Sequence, residues 1–164
     1  MALMDGDLTS AGQTDPAKMT ELQSLVTAPT TCRVSSVLDR NKALYGGDNM
    51  LSTDVNTCWN SAQGSPQQIL LQFQRVVDVQ ELVVMFQGGF VGMDVECFVR
   101  TAATGEWTKA LEAFDPEDSN DLQHFACVTN GVDALRLSFN RSSDFYGRVI
   151  IYRLDVLGSN AAAA

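Results

Sequence analysis

One histidine, His124, serves all 164 residues, and no recognisable nucleophile and base pair accompanies it. Acyl transfer through a Ser-His or Cys-His couple and hydrolysis at a histidine-rich metal centre both lack their usual donors, so catalysis is the least favoured class. Cysteine is sparse as well: Cys32, Cys58, Cys97 and Cys127 stand tens of residues apart with no CxxC pair. In a reducing compartment they read as free thiols that pack as small apolar groups. A redox pair and a zinc site using His124-x-x-Cys127 stay open, although zinc would need two further ligands from elsewhere. Basic residues are also short, 11 against 20 acidic, for a net charge of −9. That balance repels phosphate backbones and anionic leaflets, which sets nucleic acid and membrane surfaces aside as direct partners. The longest apolar run, Leu82 to Phe86, is about a quarter of the ~20 residues a spanning helix needs. The N-terminus shows neither the basic nor the apolar region of a secretory signal, and the expected location is intracellular, cytoplasm and/or nucleus.

What is present is ordinary globular material, 45% hydrophobic and 19% charged. A chain of this size buries roughly 70% of its extended surface, enough for a full core without staples. Residues 1–29 differ from the rest: rich in Thr, Ser, Asp, Gly and Ala, without an aromatic, they read as a mostly irregular tail. Within the tail, Asp15-Pro16 offers an N-cap and a first helical residue, and Met19, Leu22, Leu25 and Val26 then share a face, so a short helix is expected over 16–26. Residues 159–164 read as a frayed end.

From about residue 30 the period changes to two. Ile69, Leu71 and Phe73 alternate with polar neighbours after the turn chemistry of Gly64-Ser65-Pro66. Residues 79–86 are apolar on both faces, as in a covered central strand. Val95, Cys97 and Val99 form another inward row, as do Leu135, Leu137 and Phe139. The last strand is expected over 149–157, with Ile150, Tyr152, Leu154 and Val156 on one side. Several short strands without helical crossovers predict an all-β, two-layer sandwich over residues 30–158.

Asp54-Val55-Asn56-Thr57-Cys58-Trp59-Asn60-Ser61, followed by Gln68 to Phe73 and Val79 to Leu82, resembles the opening half of a discoidin or coagulation-factor C-type domain. Phe86-Gln87-Gly88-Gly89-Phe90, Asp115-Pro116-Glu117-Asp118-Ser119-Asn120 and Asp144-Phe145-Tyr146-Gly147-Arg148-Val149-Ile150-Ile151-Tyr152 are, in that order, similar to the small intracellular orphan nuclear receptor-associated protein family. The resemblance spans roughly residues 35–158. It implies a galactose-binding-like (discoidin) jelly-roll β-sandwich. Related domains often hold a structural calcium at an Asp-Gly-Asp/Asn turn. Ser52-Thr53-Asp54 retains one of those two acidic positions, so Asp54 is a weak calcium candidate and no cofactor is expected.

Three segments invite functional readings. Gly88-Gly89-Phe90-Val91-Gly92 suggests a phosphate loop but is neither GxGxxG nor Walker A, and reads as a β-turn that presents Phe90. The acidic run 115–121 lacks the Gly and Glu of an EF-hand at the required positions and reads as a solvated loop or a basic partner's contact. Asp144-Phe145-Tyr146-Gly147-Arg148 sets two aromatics beside an opposite-charge pair. One aromatic is expected to plug the sandwich end and the other to face out, since adjacent residues of an extended segment point opposite ways. Phe90, Asp144, Phe145, Tyr146 and Arg148 are therefore the candidate partner-binding residues, Tyr and Arg being favoured interface anchors. Leu22, Leu25 and Val26 approach the LxxLL spacing that docks in nuclear-receptor grooves and form a candidate tail contact. Trp59 is expected in the core, whereas Trp107 is harder to place.

The chain is thus expected to be a non-catalytic protein-protein interaction module, an adaptor or small subunit linked to nuclear-receptor regulation. A subunit of a ciliary or cytoskeletal assembly is the runner-up, because a small intraflagellar-transport subunit shares this fold, and a cilium would then be its location. A glycan or small-ligand binding domain is the third reading.

Overall fold

The alternation that begins at Gln67 does not stop at Gln74. The computed structural model describes residues 22–161 and carries that pattern on as one long strand, β4 (Gln67–Phe86), answered by a second, β7 (Leu122–Ser142). The remaining strands are β1 (Gln23–Ser24), β2 (Thr31–Val34), β3 (Trp59–Asn60), β5 (Gly92–Thr101), β6 (Trp107–Phe114) and β8 (Ile150–Asn160). One helical turn, α1 (Lys42–Tyr45), lies between 3-10 turns at Leu38–Arg40 and Gly47–Leu51.

Strands β4 and β7 pair antiparallel from Gln67 opposite Phe139 to Met85 opposite Leu122, and the register slips between Gln72 and Glu81. At those slips both strands turn from one layer into the other. Gln74 and Gly131 adopt φ of 62° and 69°, and Asp78 Oδ1 accepts from the Gly131 N–H at 2.9 Å. Bulges of this kind increase local twist and let one strand serve two sheets. The front layer is β2, the first half of β4, the second half of β7, β5 and β6. The back layer sets β1 and β3 on β8, followed by the second half of β4 and the first half of β7.

Between the layers lie the residues that the period-2 pattern marks: Ile69, Leu71, Phe73, Val95, Val99, Leu135 and Leu137 are all buried. Phe139 is central. Phe86 meets it edge-on at 5.9 Å and Trp59 lies 6.5 Å away, while Gly92 leaves the space its ring fills, since a Cβ there would overlap that ring. Trp59 is fully buried and its Nε1 donates to the Ser36 carbonyl at 2.8 Å, so the ring is core and its polar edge is satisfied.

Three expectations are corrected. The short helix over 16–26 is not what the described part of that stretch forms, since Gln23–Ser24 pairs as β1 with Gly158 and Leu157; residues 16–21 lie outside the described residues. Leu25 and Val26 enter the core, and only Leu22 of the proposed groove contact is exposed. An apolar pair three and four residues after Leu22 fits either a helix face or a chain passing over a sandwich edge, and here tertiary burial decides. The segment is then pinned by polar contacts: Leu25 N donates to Val156 O at 2.8 Å, Ser24 Oγ to the buried Asp155 at 2.7 Å, and Thr30 Oγ1 to Leu25 O at 2.6 Å. The sandwich therefore begins before residue 30, and it extends past 158 because β8 runs to Asn160. Finally, the last strand keeps its expected face at Leu154 and Val156 but not at Ile150 and Tyr152. Met85 opposes Arg153 but Phe86 opposes Ile151, so Tyr152 is the extra residue of a bulge and Ile151 joins the core cluster in place of Ile150 and Tyr152.

Leu25→Ala is expected to lower unfolding stability by about 2–5 kcal/mol, the cost of a large-to-small change in a packed core, as measured by urea denaturation. A change within about 0.5 kcal/mol, normal for an exposed position, would mean that this segment is only a tail. The four thiols are unpaired, with Cys97 and Cys127 in the core and Cys32 and Cys58 half-buried. Burial, and then the charge of Asp48, push the Cys32 thiol up from 9.0 to about 12. The unfolded chain therefore releases that proton first, and iodoacetamide in mildly alkaline buffer is expected to label Cys32 slowly in the native protein and quickly in urea. Equal rates would refute this environment.

Candidate functional site

The turn between β4 and β5 needs glycine-like freedom, and its amides point outward where no strand pairs with them. Those amides are not vacant. Gly88 N donates to Asn120 Oδ1 at 2.6 Å and Gly89 N to Asp118 Oδ1 at 2.7 Å. The acidic run between β6 and β7 thus supplies from within the chain the oxygen ligands that a phosphate loop takes from a substrate. Asp115 Oδ1 accepts from Asp94 N at 2.7 Å and lies 3.5 Å from Arg141 Nη2. The solvated loop read from sequence is, at Asp115, Asp118 and Asn120, a brace. Glu117 and Asp121 remain exposed.

Phe90, half-buried, closes the same turn: its N–H donates to Gln87 O at 3.0 Å and its carbonyl accepts from Ile150 N at 3.1 Å. The Arg148 guanidinium lies 4.9 Å from the centroid of the Phe90 ring, within cation–π range, and its Nη2 donates to Asn60 Oδ1 at 3.0 Å. Arg148 Nε is buried without a hydrogen-bond partner among the described residues. The expected Asp144–Arg148 pairing is a backbone contact, since Asp144 Oδ2 accepts from Arg148 N at 3.0 Å while the guanidinium turns to Phe90 and Asn60.

The loop from Ser143 to Gly147 is braced on both sides. Val91 and Ser143 exchange bonds of 2.9 Å, Ser142 Oγ donates to Arg148 O at 2.7 Å, and Gly64 N donates to Tyr146 O at 2.8 Å. Gly147, at φ 86°, passes so close to Gly64 that a Cβ would sit 2.8 Å from its carbonyl carbon. Phe145 and Tyr146 themselves contradict the expected plug: both face out, at 92% and 61% exposure, with rings edge-to-face at 5.2 Å. The core end is already filled by Phe139, Phe86 and Val91, which leaves no hole for either ring.

The structure therefore brings Phe90, Asp144, Phe145, Tyr146 and Arg148 to one end of the sandwich. It leaves Trp107 elsewhere, 37% exposed beside Arg100 and Arg136 on the front layer. Asn60, Asp118 and Asn120 were not singled out as contacts. Asp118 and Asn120 belong to one of the three segments that carry the family resemblance, which meet here, and Asn60 to the discoidin-like opening Asp54 to Ser61. Asp54 Oδ1 accepts from Asn56 N at 2.9 Å in a local turn. His124 stands 3.3 Å from Glu81 while Cys127 points into the core, so the two do not converge on one site. Among the described residues no group of three or more His, Cys, Asp or Glu is placed to hold a metal ion, and no helix is long and apolar enough to cross a membrane.

No protein-family model matches the chain. Among solved structures it is similar to an F5/8 type C domain from Bacteroides fragilis, with a TM-score of 0.74, 15% identity, and coverage of 86% of this chain and 99% of that one. It is also similar to the family 32 CBM of Clostridium perfringens NanJ in complex with galactose, with a TM-score of 0.68, 14% identity, and coverage of 83% and 98%. These likenesses show a discoidin-like, galactose-binding-like sandwich. In sequence the chain is 45% identical over 139 residues to the nuclear receptor 2C2-associated protein of Mus musculus, covering 85% of this chain and 98% of the relative. It is 42% identical over 135 residues to that of Homo sapiens, covering 82% and 96%. With nearly the whole of each relative matched at this identity, the chain belongs to the nuclear receptor 2C2-associated protein family.

Proposed function

We propose that this chain is a non-catalytic interaction module of the cytoplasm or nucleus, and that it contacts nuclear receptor 2C2, or an assembly containing it, through the loop end of the sandwich. The observation that carries the reading is the pair Phe145 and Tyr146, two adjacent aromatics held outward at 92% and 61% exposure on a braced loop. An aromatic side chain buries about 150–250 Å² when covered, and apolar area is worth roughly 25 cal/mol per Å². A partner that seats these rings gains several kcal/mol without having to order the loop first. Phe90 and Arg148 stack on each other at the same end of the sandwich, and the receptor link is supported by the names of the relatives.

Co-precipitation with nuclear receptor 2C2 tests the reading. Phe145→Ser with Tyr146→Ser is expected to weaken recovery about tenfold or more, at unchanged unfolding stability. Undiminished recovery would sink the assignment of this surface. Arg148→Lys keeps the charge but loses the planar group that spans Phe90 and Asn60, and is expected to reduce partner binding several-fold; full binding would reduce Arg148 to a generic cation. If the wild-type protein were instead captured by immobilised galactose and released by Tyr146→Ser, the glycan reading would replace this one.

A further inference from the structure

The acids outnumber the bases, yet the bases are not all spent on them. Arg33, Arg40 and Lys42, exposed on and after β2, line a cleft of about 500 Å³ in which Asp48 is the one carboxylate. Arg33 also borders a second hollow, of about 280 Å³, together with Leu70 and Arg136. The two hollows share Arg33 and form one track. Its floor follows from the register: Arg33 stands opposite Leu70, Leu70 opposite Arg136, and Arg136 opposite Phe98, a cross-strand row on the outer face of the front layer. The Arg136 guanidinium is held 5.0 Å from the Phe98 ring and 5.1 Å from the Trp107 ring. Among the described residues Arg33, Arg40, Lys42 and Arg136 make no ion pair, whereas Arg100 and Lys109 beside them are committed to Asp133 at 2.7 Å and Glu96 at 3.1 Å.

We propose that this track binds an extended acidic segment of a protein partner, carboxylate by carboxylate, on a surface separate from the aromatic loop end. Charge complementarity names the occupant. Neighbouring strands lie about 4.8 Å apart, so Arg33 and Arg136 are separated by about 10 Å, between the roughly 7 Å and 13 Å that separate same-face carboxylates two and four residues apart on an extended peptide, a difference that the long Arg and Glu side chains take up. Leu70 between them gives an apolar floor for an intervening side chain. A long phosphate polymer feels the net charge of −9, whereas a short carboxylate segment feels chiefly the cations within a Debye length of about 8 Å.

The test is fluorescence anisotropy on the full chain with a labelled peptide of alternating Glu and Thr, its Gln and Thr counterpart, and an oligothymidylate. The glutamate peptide is expected to bind, to weaken as salt rises, and to lose about tenfold or more in affinity in Arg33→Glu with Arg40→Glu, while Phe145→Ser binds as wild type. Arg136→Glu disturbs a guanidinium packed between two rings and is read only if its circular dichroism is native. Lys42→Glu, at an exposed position, carries the same test independently. Absence of binding, equal binding of the glutamine peptide, or full affinity in the charge-reversed variants overturns the proposal. Tighter binding of the oligothymidylate also overturns it and assigns the track to nucleic acid.

Discussion

Strands β4 and β7 pair along nearly their whole length and change layers together, and most of the molecule hangs on that shared fold line. Because each contributes half of itself to the front layer and half to the back, the two layers cannot slide independently. The inward rows of both halves therefore meet in fixed register, and Phe139 reaches Phe86 and Trp59 across the core. The loop end inherits its geometry from this. Phe86 ends β4, Gly92 begins β5 against Phe139, and Ser142, which ends β7, pairs with Gly92, so the 87–91 turn and the 143–149 loop start close together before any loop contact forms.

Acidic groups then do two kinds of work. Some serve as internal ligands: Asp118 for the Gly89 amide, beside the neutral Asn120 on Gly88, Asp115 for Asp94, Asp144 for Arg148, Asp155 for Ser24 and Val156. Each replaces water at a backbone N–H or hydroxyl that a tight turn or short strand leaves without a ladder partner. Glu96 is held below the usual carboxylate range by its hydrogen bonds to Asn140 and Lys109. Others, such as Glu117 and Asp121, stay in solvent and set the long-range field.

The two-layer architecture was legible because period-2 rows at Ile69–Phe73, Val95–Val99 and Leu135–Phe139 have one physical solution, burial of one face. The length of β4 was not, since the polar stretch around Gln74 looks like a strand end, and only bulges let the chain bend there while continuing to pair. Leu25 was misread because two apolar residues in a polar tail do not distinguish a helix face from a strand edge. Tyr152 was misread because a bulge flips facing by one residue, a shift invisible to alternation. At the candidate site the sequence picked out loops that the fold brings to one end, but not the contacts that hold them there. Asn60 lies 88 positions from Arg148, and Asp118 lies 29 from Gly89, pairings that local spacing does not encode. The four C-terminal arginines, near one another in sequence, are dispersed by the fold: Arg136 lies on the front layer, Arg148 at the loop end, Arg141 beside Asp115, and Arg153 beside Asp155.

Phe145 and Tyr146 carry a consequence for the uncomplexed molecule. Two rigidly presented rings form the sort of sticky spot that promotes self-association, and no flanking lysine of the loop screens them. Mutual repulsion between copies, each bearing nine excess negative charges, opposes that encounter at long range. Salt that weakens the repulsion leaves the aromatic contact intact, so self-association of the free chain is expected to rise with ionic strength.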